Sequence, residues 1–210
     1  MMVSERLRFL PKVIAALAVS ALALAPPAFA QSDADVCAKE TGDKAITACD
    51  RLISQNQKDS SAYGNRGYTW SAKGEYDKAI ADFNEAIRLN PKHAKAYNNR
   101  GVTWNKKGDY DKAIADSTEA IKLNKKYAKA YNNRGVALSR KREYDKAISD
   151  FNESIKLNSK EASAYFNRGN AFEAKGSLQQ ALSDFRKFSE LAPSDGDGQK
   201  AVARLEQKLR

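Results

Sequence analysis

The feature that most constrains this 210-residue chain is an internal period of 34 residues. The tripeptide Asn-Arg-Gly begins at four positions, each 34 residues after the last: Asn65, Asn99, Asn133 and Asn167. The tetrapeptide Asp-Lys-Ala-Ile follows the same period and begins at Asp43, Asp77, Asp111 and Asp145. Self-similarity at a period of 20 to 50 residues is typical of solenoids and arrays. The sequence therefore predicts a stack of similar units.

Each 34-residue unit contains two stretches with helical periodicity. From Ser60, the residues Tyr63, Gly67 and Trp70 fall on one helix face at i, i+4 and i+7. Gly74 then interrupts the helix, and a second amphipathic stretch begins at Glu75. This second stretch ends at Asn90-Pro91, because a residue that precedes proline disfavours the helical conformation. The pattern predicts an all-α fold of helix-turn-helix units.

The composition of the chain would by itself indicate disorder. Leu, Ile, Val and Phe together number 39, and the formal net charge is +10; few large apolar residues and a high net charge are typical of disordered chains. The repeat favours another interpretation, since small residues recur where two helices would meet. These are Ala79, Ala113, Ala147 and Ala181, with Gly67 and its equivalents on the facing helix. We therefore expect a core built from Ala, Gly and aromatic residues.

The order of these positions resembles the tetratricopeptide repeat family. In the first full copy the matching residues are Tyr63, Gly67, Trp70, Ala79, Phe83, Ala86 and Pro91. The resemblance covers residues 60–193 fully and 43–59 in part. It implies an all-α, right-handed α-solenoid with a partial N-terminal capping repeat at 31–59 and four repeats at 60–193. A C-terminal capping helix at 194–210 would bury Val202, Leu205 and Leu209 against the last repeat.

Three departures from the family pattern carry expectations. The usual Leu is replaced in all four copies, by Arg66, Arg100, Arg134 and Arg168. Aspartates recur on the following helix at Asp82, Asp116, Asp150 and Asp184, and we expect them to pair with the arginines. Ser117 replaces a Phe and should leave the second copy less well packed. Arg142 replaces the glycine between the two helices.

The first thirty residues have the pattern of a secretory signal peptide. Basic residues precede the apolar run 13–25, and Ala28-Phe29-Ala30 follows Pro26-Pro27. The alternative is a membrane anchor, but a span needs roughly 17 to 25 apolar residues, so this run is short. We predict cleavage near Gln31 and an exported protein, periplasmic in preference to secreted or envelope-associated, with no transmembrane segment after cleavage.

Both cysteines fall in the partial N-terminal repeat. Shifted by one period, Cys49 takes the core position of Phe83, and Cys37 lies on the preceding half-helix. An exported protein with two such cysteines favours a Cys37–Cys49 disulfide, and the alternative is a pair of free, buried thiols.

The chain lacks the motifs that carry catalysis. It has one histidine, no metal-ligand spacing, no glycine-rich phosphate loop and no nucleophile elbow. We therefore predict a non-enzymatic protein without a cofactor or metal. His93, beside Pro91 and Lys92, is expected to be solvent-exposed.

The resemblance implies that the first helix of each pair lines a concave groove. The asparagine ladder Asn65, Asn99, Asn133 and Asn167 faces that groove, and its amides could bind the backbone of an extended peptide; the alternative is that they satisfy neighbouring groups of the protein. The full set of candidate groove residues is Asn65, Tyr68, Lys95, Asn98, Asn99, Val102, Lys129, Asn132, Asn133, Val136, Phe166 and Asn167.

Some members of the family bind the C-terminus of a chaperone through a set of lysine, asparagine and arginine side chains called a carboxylate clamp. This set is incomplete here, since Gly64, Tyr68 and Asn133 depart from it.

The charge distribution separates two classes of function. After removal of the leader the net charge is +8, and seven of these charges lie in copies two and three, residues 94–161. The leading prediction is an exported protein-interaction scaffold that binds a peptide or protein of acidic character in the groove. The alternative is an envelope-associated module that binds anionic lipid or cell-wall polymer through the basic middle repeats. Nucleic acid is disfavoured as a partner of an exported protein.

Overall fold

The computed structural model describes residues 32–210, so the predicted signal peptide lies outside the described part of the chain. These residues form eleven helices and no strand. The helices are α1 (Asp33–Lys39), α2 (Gly42–Gln55), α3 (Ser60–Ala72), α4 (Tyr76–Leu89), α5 (Ala94–Lys107), α6 (Tyr110–Leu123), α7 (Ala128–Arg140), α8 (Tyr144–Leu157), α9 (Ala162–Ala174), α10 (Leu178–Leu191) and α11 (Gly196–Lys208). This confirms the all-α solenoid of helix pairs.

Each helix packs against the next one along the chain, and a second set of contacts gives the stack an inner side. The first helices of neighbouring pairs also touch one another, in the series α1, α3, α5, α7 and α9. The second helices do not make comparable contacts with one another within residues 32–210. The first helices therefore lie closer together and form the inner face, as the groove prediction requires.

Small residues and a few rings fill the space between paired helices. Ala79, Ala113, Ala147 and Ala181 are all fully buried. A Cβ atom added at Gly67 would lie 3.0 Å from the ring of Phe83 and 3.1 Å from the carbonyl oxygen of Ala79. A side chain at this position would therefore require the facing ring and the backbone of Ala79 to shift. The expected core of Ala, Gly and aromatic residues is confirmed.

The second copy has a serine at a core position that holds a phenylalanine in the other copies. Ser117 occupies the site that Phe83, Phe151 and Phe185 fill in the other copies, and it is fully buried. Its hydroxyl has no hydrogen-bond partner among the described residues. A buried, unpaired hydroxyl is unfavourable, so this position carries a polar cost in addition to the poorer packing that the sequence predicts.

The two ends of the stack are closed in different ways. At the N-terminus the sulfur atoms of Cys37 and Cys49 lie at disulfide-bonding distance, with their Cα atoms 5.0 Å apart. At the C-terminus Ala201 and Leu205 of α11 are buried against Leu182 and Phe185. Leu209 was expected in this contact, but it follows the last residue of α11 and remains exposed.

The turns between paired helices require a left-handed backbone. Gly74, Gly108 and Gly176 have φ angles of 83°, 85° and 79°, and the equivalent residue in the third copy, Arg142, has a φ of 64°. A side chain in this conformation costs about 1–2 kcal/mol, because Cβ approaches the carbonyl oxygen. The third copy therefore carries local backbone strain that the other copies avoid.

Replacing Arg142 by glycine should stabilise the protein. Relief of the strained backbone outweighs the greater flexibility of glycine in the unfolded chain, so we expect a gain of about 0.5–1 kcal/mol in the free energy of unfolding, measured by urea denaturation. The control Arg142→Ala removes the charge but keeps Cβ, and it should give no comparable gain. Equal stabilisation by both variants would contradict the backbone explanation.

The four arginines form a repeated set of ion pairs between helices. Each guanidinium group donates two hydrogen bonds to the aspartate sixteen residues later, with distances of 2.6–2.8 Å. The aspartates are buried. The pairs are Arg66–Asp82, Arg100–Asp116, Arg134–Asp150 and Arg168–Asp184. The predicted pairing is therefore present in every copy.

Each arginine also reaches back to the preceding repeat. The third nitrogen of Arg100 donates to the side-chain oxygen of Asn84 at 2.6 Å, and Arg168 donates in the same way to Asn152 at 2.7 Å. In the first copy the partner is Asp50, at 2.6 Å. One side chain thus joins three helices, two of its own repeat and one of the preceding repeat.

Replacing one arginine of this series should be strongly destabilising. In Arg100→Leu the buried carboxylate of Asp116 loses its partner, and a broken buried ion pair typically costs about 3–5 kcal/mol. The double variant Arg100→Leu/Asp116→Leu removes both charges and should recover much of this loss. Thermal and urea unfolding would measure both effects; an unchanged or raised melting temperature for Arg100→Leu would show that the pair does not stabilise the fold.

Candidate functional site

The inner face of α3, α5, α7 and α9 contains the predicted groove residues. Tyr68, Lys95 and Lys129 are exposed, and Tyr68 keeps 52% of its surface accessible, the largest fraction of any large apolar or aromatic residue in the described part of the chain. Asn98 is buried, with an exposed fraction of 4%. The remaining candidates are partly exposed: Asn65, Asn99, Val102, Asn132, Asn133, Val136, Phe166 and Asn167. Most of the set is therefore at least partly accessible to solvent, with Asn98 as the exception.

Hydrogen bonds between asparagine side chains connect neighbouring first helices. The Nδ2 of Asn133 donates to the Oδ1 of Asn98 at 2.8 Å, and the Nδ2 of Asn167 donates to the Oδ1 of Asn132 at 3.1 Å. The ladder therefore includes contacts within the protein, which was the alternative open at the sequence level. Each bond uses one N–H of the ladder asparagine and the oxygen of its partner, so the remaining polar atoms of the partly exposed asparagines can still bind a ligand.

The same hydrogen bond is missing between the first two copies. Asn99 is equivalent to Asn133 and Asn167, but the residue that should accept its bond is Gly64, which has no side chain. The Nδ2 of Asn99 makes no hydrogen bond to the described residues. The Oδ1 of Asn99 accepts a hydrogen bond from the Nδ2 of Asn98 at 3.3 Å. This end of the groove therefore differs from the rest.

Asn98 and Asn65 should respond differently to truncation. Asn98→Ala removes a buried acceptor and leaves Asn133 without its partner, so we expect a loss of about 1–2 kcal/mol in the free energy of unfolding. Asn65 makes no side-chain hydrogen bond to the described residues, and Asn65→Ala should stay within about 0.5 kcal/mol of the parent. Urea denaturation of the two variants measures the difference, and equal losses would mean that the Asn98–Asn133 bond does not stabilise the stack.

Two cavities open on the groove. The first has a volume of about 290 Å³ and is lined by Ser61, Gly64, Asn65, His93, Lys95 and Asn99, with Ala38 of α1 and Ala96. The second has a volume of about 310 Å³ and lies between α7, α8 and α9, where Val136, Arg140, Tyr144, Phe151, Asn167 and Asn170 contribute to its wall. Each cavity therefore combines predicted ladder residues with side chains that the sequence analysis did not select.

His93 corrects a prediction, because it is not a freely exposed side chain. The residue is half-buried, and its Nδ1 atom is buried without a hydrogen-bond partner in the described residues. Burial, and secondarily the ammonium group of Lys95, lower the pKa of His93. The sequence carried one signal for the burial of His93, because Gly64 stands where the other copies have Asn98, Asn132 and Phe166. In the structure, a Cβ atom added at Gly64 would lie 3.3 Å from the Cε1 of His93.

The groove carries unpaired positive charge. Lys95 and Lys129 form no salt bridge with the described residues, whereas four lysines at the other ends of the first helices pair with an aspartate thirty residues earlier. Those paired lysines are Lys73, Lys107, Lys141 and Lys175.

Within residues 32–210 no cluster of side chains is suited to a metal ion, and no helix there has the length and apolar character to cross a membrane.

Comparison with known proteins identifies the repeat. The family model described as tetratricopeptide repeat matches residues 60–93, 94–127 and 128–161, and a second model with the same description matches residues 162–195. None of the curated proteins that were compared matches the chain.

Several solved structures share the fold. A crystal structure of MamA has 28% sequence identity and a TM-score of 0.63, covering 72% of this chain and 89% of its own. The first tetratricopeptide domain of Spaghetti (RPAP3), bound to the HSP90 peptide SRMEEVD, has 28% identity and a TM-score of 0.54, with coverages of 55% and 92%. YrrB, titled a tetratricopeptide protein with an unusual peptide-binding site, is 23% identical with a TM-score of 0.63, covers 78% and 84%, and shows the fold alone.

Proposed function

Since the chain belongs to the tetratricopeptide repeat family, whose members act as protein-interaction scaffolds, we propose that it is exported and binds an extended peptide segment in its groove. The groove is the inner face of α3, α5, α7 and α9. The binding is non-enzymatic, and the ligand is a segment of another protein. The export signal is the pattern in residues 1–30, with its basic start, apolar run and small residues before Gln31.

One observation carries the proposal of groove binding. Partly exposed asparagines recur along the inner face at every repeat, and two cavities open among them. An amide side chain both donates and accepts hydrogen bonds, so a row of amides suits the alternating N–H and C=O groups of an extended backbone. The RPAP3 domain, which is 28% identical and was solved with a bound peptide, supports a peptide ligand for this fold.

The unpaired lysines favour a ligand with acidic character. Lys95 and Lys129 are exposed in the groove without an ion pair to the described residues, and the middle repeats hold most of the net charge. Exposed charges contribute modestly to affinity but raise the rate of association and suppress basic partners. We therefore expect acidic segments to bind faster than neutral ones.

A second candidate function has its own observation. Four lysines in the turns between repeats are exposed and unpaired with described residues, and they recur at the 34-residue period: Lys58, Lys92, Lys126 and Lys160. Their charges could contact anionic lipid or cell-wall polymer. Such binding would depend steeply on ionic strength, because exposed charges are screened by salt.

A peptide selection experiment tests the groove. Peptides from a random phage-displayed library, selected on the protein, should protect backbone amides of α5 and α7 from hydrogen exchange. The variant Asn65→Ala/Asn99→Ala/Asn133→Ala should lose the selected peptides, since three side-chain amides are removed, by at least about tenfold in Kd. The matched control is Gln180→Ala, which removes an exposed side-chain amide on α10, outside the groove, that makes no hydrogen bond to the described residues.

The outcomes separate the two functions. Retention of peptide binding in the triple variant, or protection confined to the second helices, would contradict the groove. Protection confined to the turns at Lys92 and Lys126, with vesicles of anionic lipid as the probe and an affinity that disappears in high salt, would favour the second candidate.

A further inference from the structure

We propose that a third cavity, between α6, α7 and α8, binds a tryptophan side chain of a partner protein; we call it the Leu138 site. Its volume is about 510 Å³, and Ile114 and Leu138 are the apolar residues of its lining. The lining contains none of the candidate groove residues. The Leu138 site is therefore a second interaction surface, which goes beyond the proposed function and does not depend on it.

The other copies place an aromatic ring at the position of Leu138. At the 34-residue period the equivalent residues are Trp70, Trp104 and Phe172. Leu138 lines the cavity and has a much smaller side chain than tryptophan. The cavity therefore corresponds to space that an indole ring fills in the first two copies. Those copies show the kind of side chain that fits this place.

An isoleucine of the preceding repeat shows the effect of the smaller side chain. Ile46 and Ile80 lie 24 residues before the two tryptophans and are 7% and 8% exposed. Ile114 stands in the same relation to the leucine of the third copy and is partly exposed. The same is true of Ile148, whose counterpart is the phenylalanine of the fourth copy. Full cover of this isoleucine thus accompanies an indole ring and no smaller side chain, so tryptophan fits the site better than phenylalanine.

A lysine that contacts the ring in the first two copies is also present at the cavity. In the first copy the ammonium group of Lys78 lies 4.6 Å from the ring centroid of Trp70. In the second copy that of Lys112 lies 4.4 Å from the ring centroid of Trp104. The equivalent residue of the third copy is Lys146, which lines the cavity. A cation over an aromatic face is attracted by the ring, most strongly by tryptophan, so Lys146 can make the same contact with a bound indole.

The charge of the lining favours a neutral ligand. Each charged side chain of the lining pairs with another one: Arg134 with Asp150, Lys141 with Asp111, and Lys146 with Glu143. The cavity therefore has no excess charge of either sign to attract an ion. The ion pair of Lys146 is compatible with a ring contact, because the equivalent lysines of the first two copies keep an acidic partner beside their tryptophans.

Two hydroxyl groups in the lining suit the N–H group of an indole. They belong to Thr118 and Ser149. A hydroxyl oxygen has two lone pairs, so Thr118 can accept an indole N–H in addition to the hydrogen bond that it accepts from Arg134 at 3.2 Å. A buried tryptophan usually finds such a partner for its N–H group. The cavity thus meets the apolar, cationic and hydrogen-bonding requirements of one side chain.

Methyl NMR tests the site. The full chain is labelled with ¹³C in the methyl groups of isoleucine, and the signal of Ile114 is assigned from its absence in Ile114→Val. The probes are the neutral peptide Ac-Gly-Trp-Gly-NH₂ and its aliphatic match Ac-Gly-Leu-Gly-NH₂. We expect a saturable shift of the Ile114 signal with the tryptophan peptide, caused by the magnetic field of the ring, and none with the leucine peptide.

Variants locate the site. Lys146→Gln should weaken binding of the tryptophan peptide about two- to fivefold, the size of a cation–π contact at an exposed position. The matched control Lys112→Gln alters the equivalent lysine one copy earlier, where the chain supplies its own ring, and should leave the affinity unchanged. Leu138→Trp supplies the ring in the third copy and should abolish the response of Ile114 to the peptide while keeping or raising the melting temperature.

Several outcomes would overturn the Leu138 site. They are the absence of a saturable shift at several millimolar peptide, an equal shift with the leucine peptide, and equal effects of Lys146→Gln and Lys112→Gln. A shift with free indole but not with the peptide would also refute it, since a partner's side chain could not then reach the cavity.

The groove is tested separately. The variant Asn65→Ala/Asn99→Ala/Asn133→Ala should keep the shift of Ile114, even where it loses the peptides selected on the groove. Loss of the shift in that variant would assign the tryptophan peptide to the groove and refute the Leu138 site. Failure of the groove proposal alone leaves the shift unchanged.

Discussion

The bidentate contact between an arginine on the first helix and an aspartate on the second fixes the geometry of each repeat. A guanidinium group and a carboxylate pair in one plane through two parallel hydrogen bonds, so the contact sets both the distance and the relative orientation of the two helices. The third nitrogen of the arginine reaches the preceding repeat, as Arg100 does at Asn84. The tyrosine one turn earlier packs its ring beside the same guanidinium, with centroids 5.4–5.7 Å from the Cζ atoms. Pairing within a repeat and stacking between repeats are thus coupled through one side chain.

This polar contact is compatible with a core that contains few large aliphatic residues. At Gly67, Gly135 and Gly169 of the first helices, an added Cβ would lie within 3.0 Å of the facing phenylalanine ring, so little volume remains to be filled. Close packing of backbones increases dispersion contacts without large side chains.

Much of the fold could be predicted from the sequence because the period is a property of the chain alone. The helix pairs, the turn at Gly74 and the pairing of Arg100 with Asp116 follow from spacing within one repeat. The bond between Asn133 and Asn98 could not be predicted in this way, since the two residues belong to different repeats. Whether they meet depends on the rotation from one repeat to the next, which the period does not contain. The burial of His93 depended on the same rotation together with the absence of a side chain at Gly64.

Departures from an otherwise regular pattern have different physical meanings according to where they fall. Arg142 and Ser117 break the pattern at a turn and in the core, where each leaves an unfavourable feature, a strained φ angle or an unpaired hydroxyl. Gly64 breaks it on the inner face, where a cavity of about 290 Å³ lies beside Asn99, whose side-chain Nδ2 has no acceptor among the described residues. The replacement of one side chain in a repeated unit therefore alters a turn, the core or the accessible surface according to its position in the repeat.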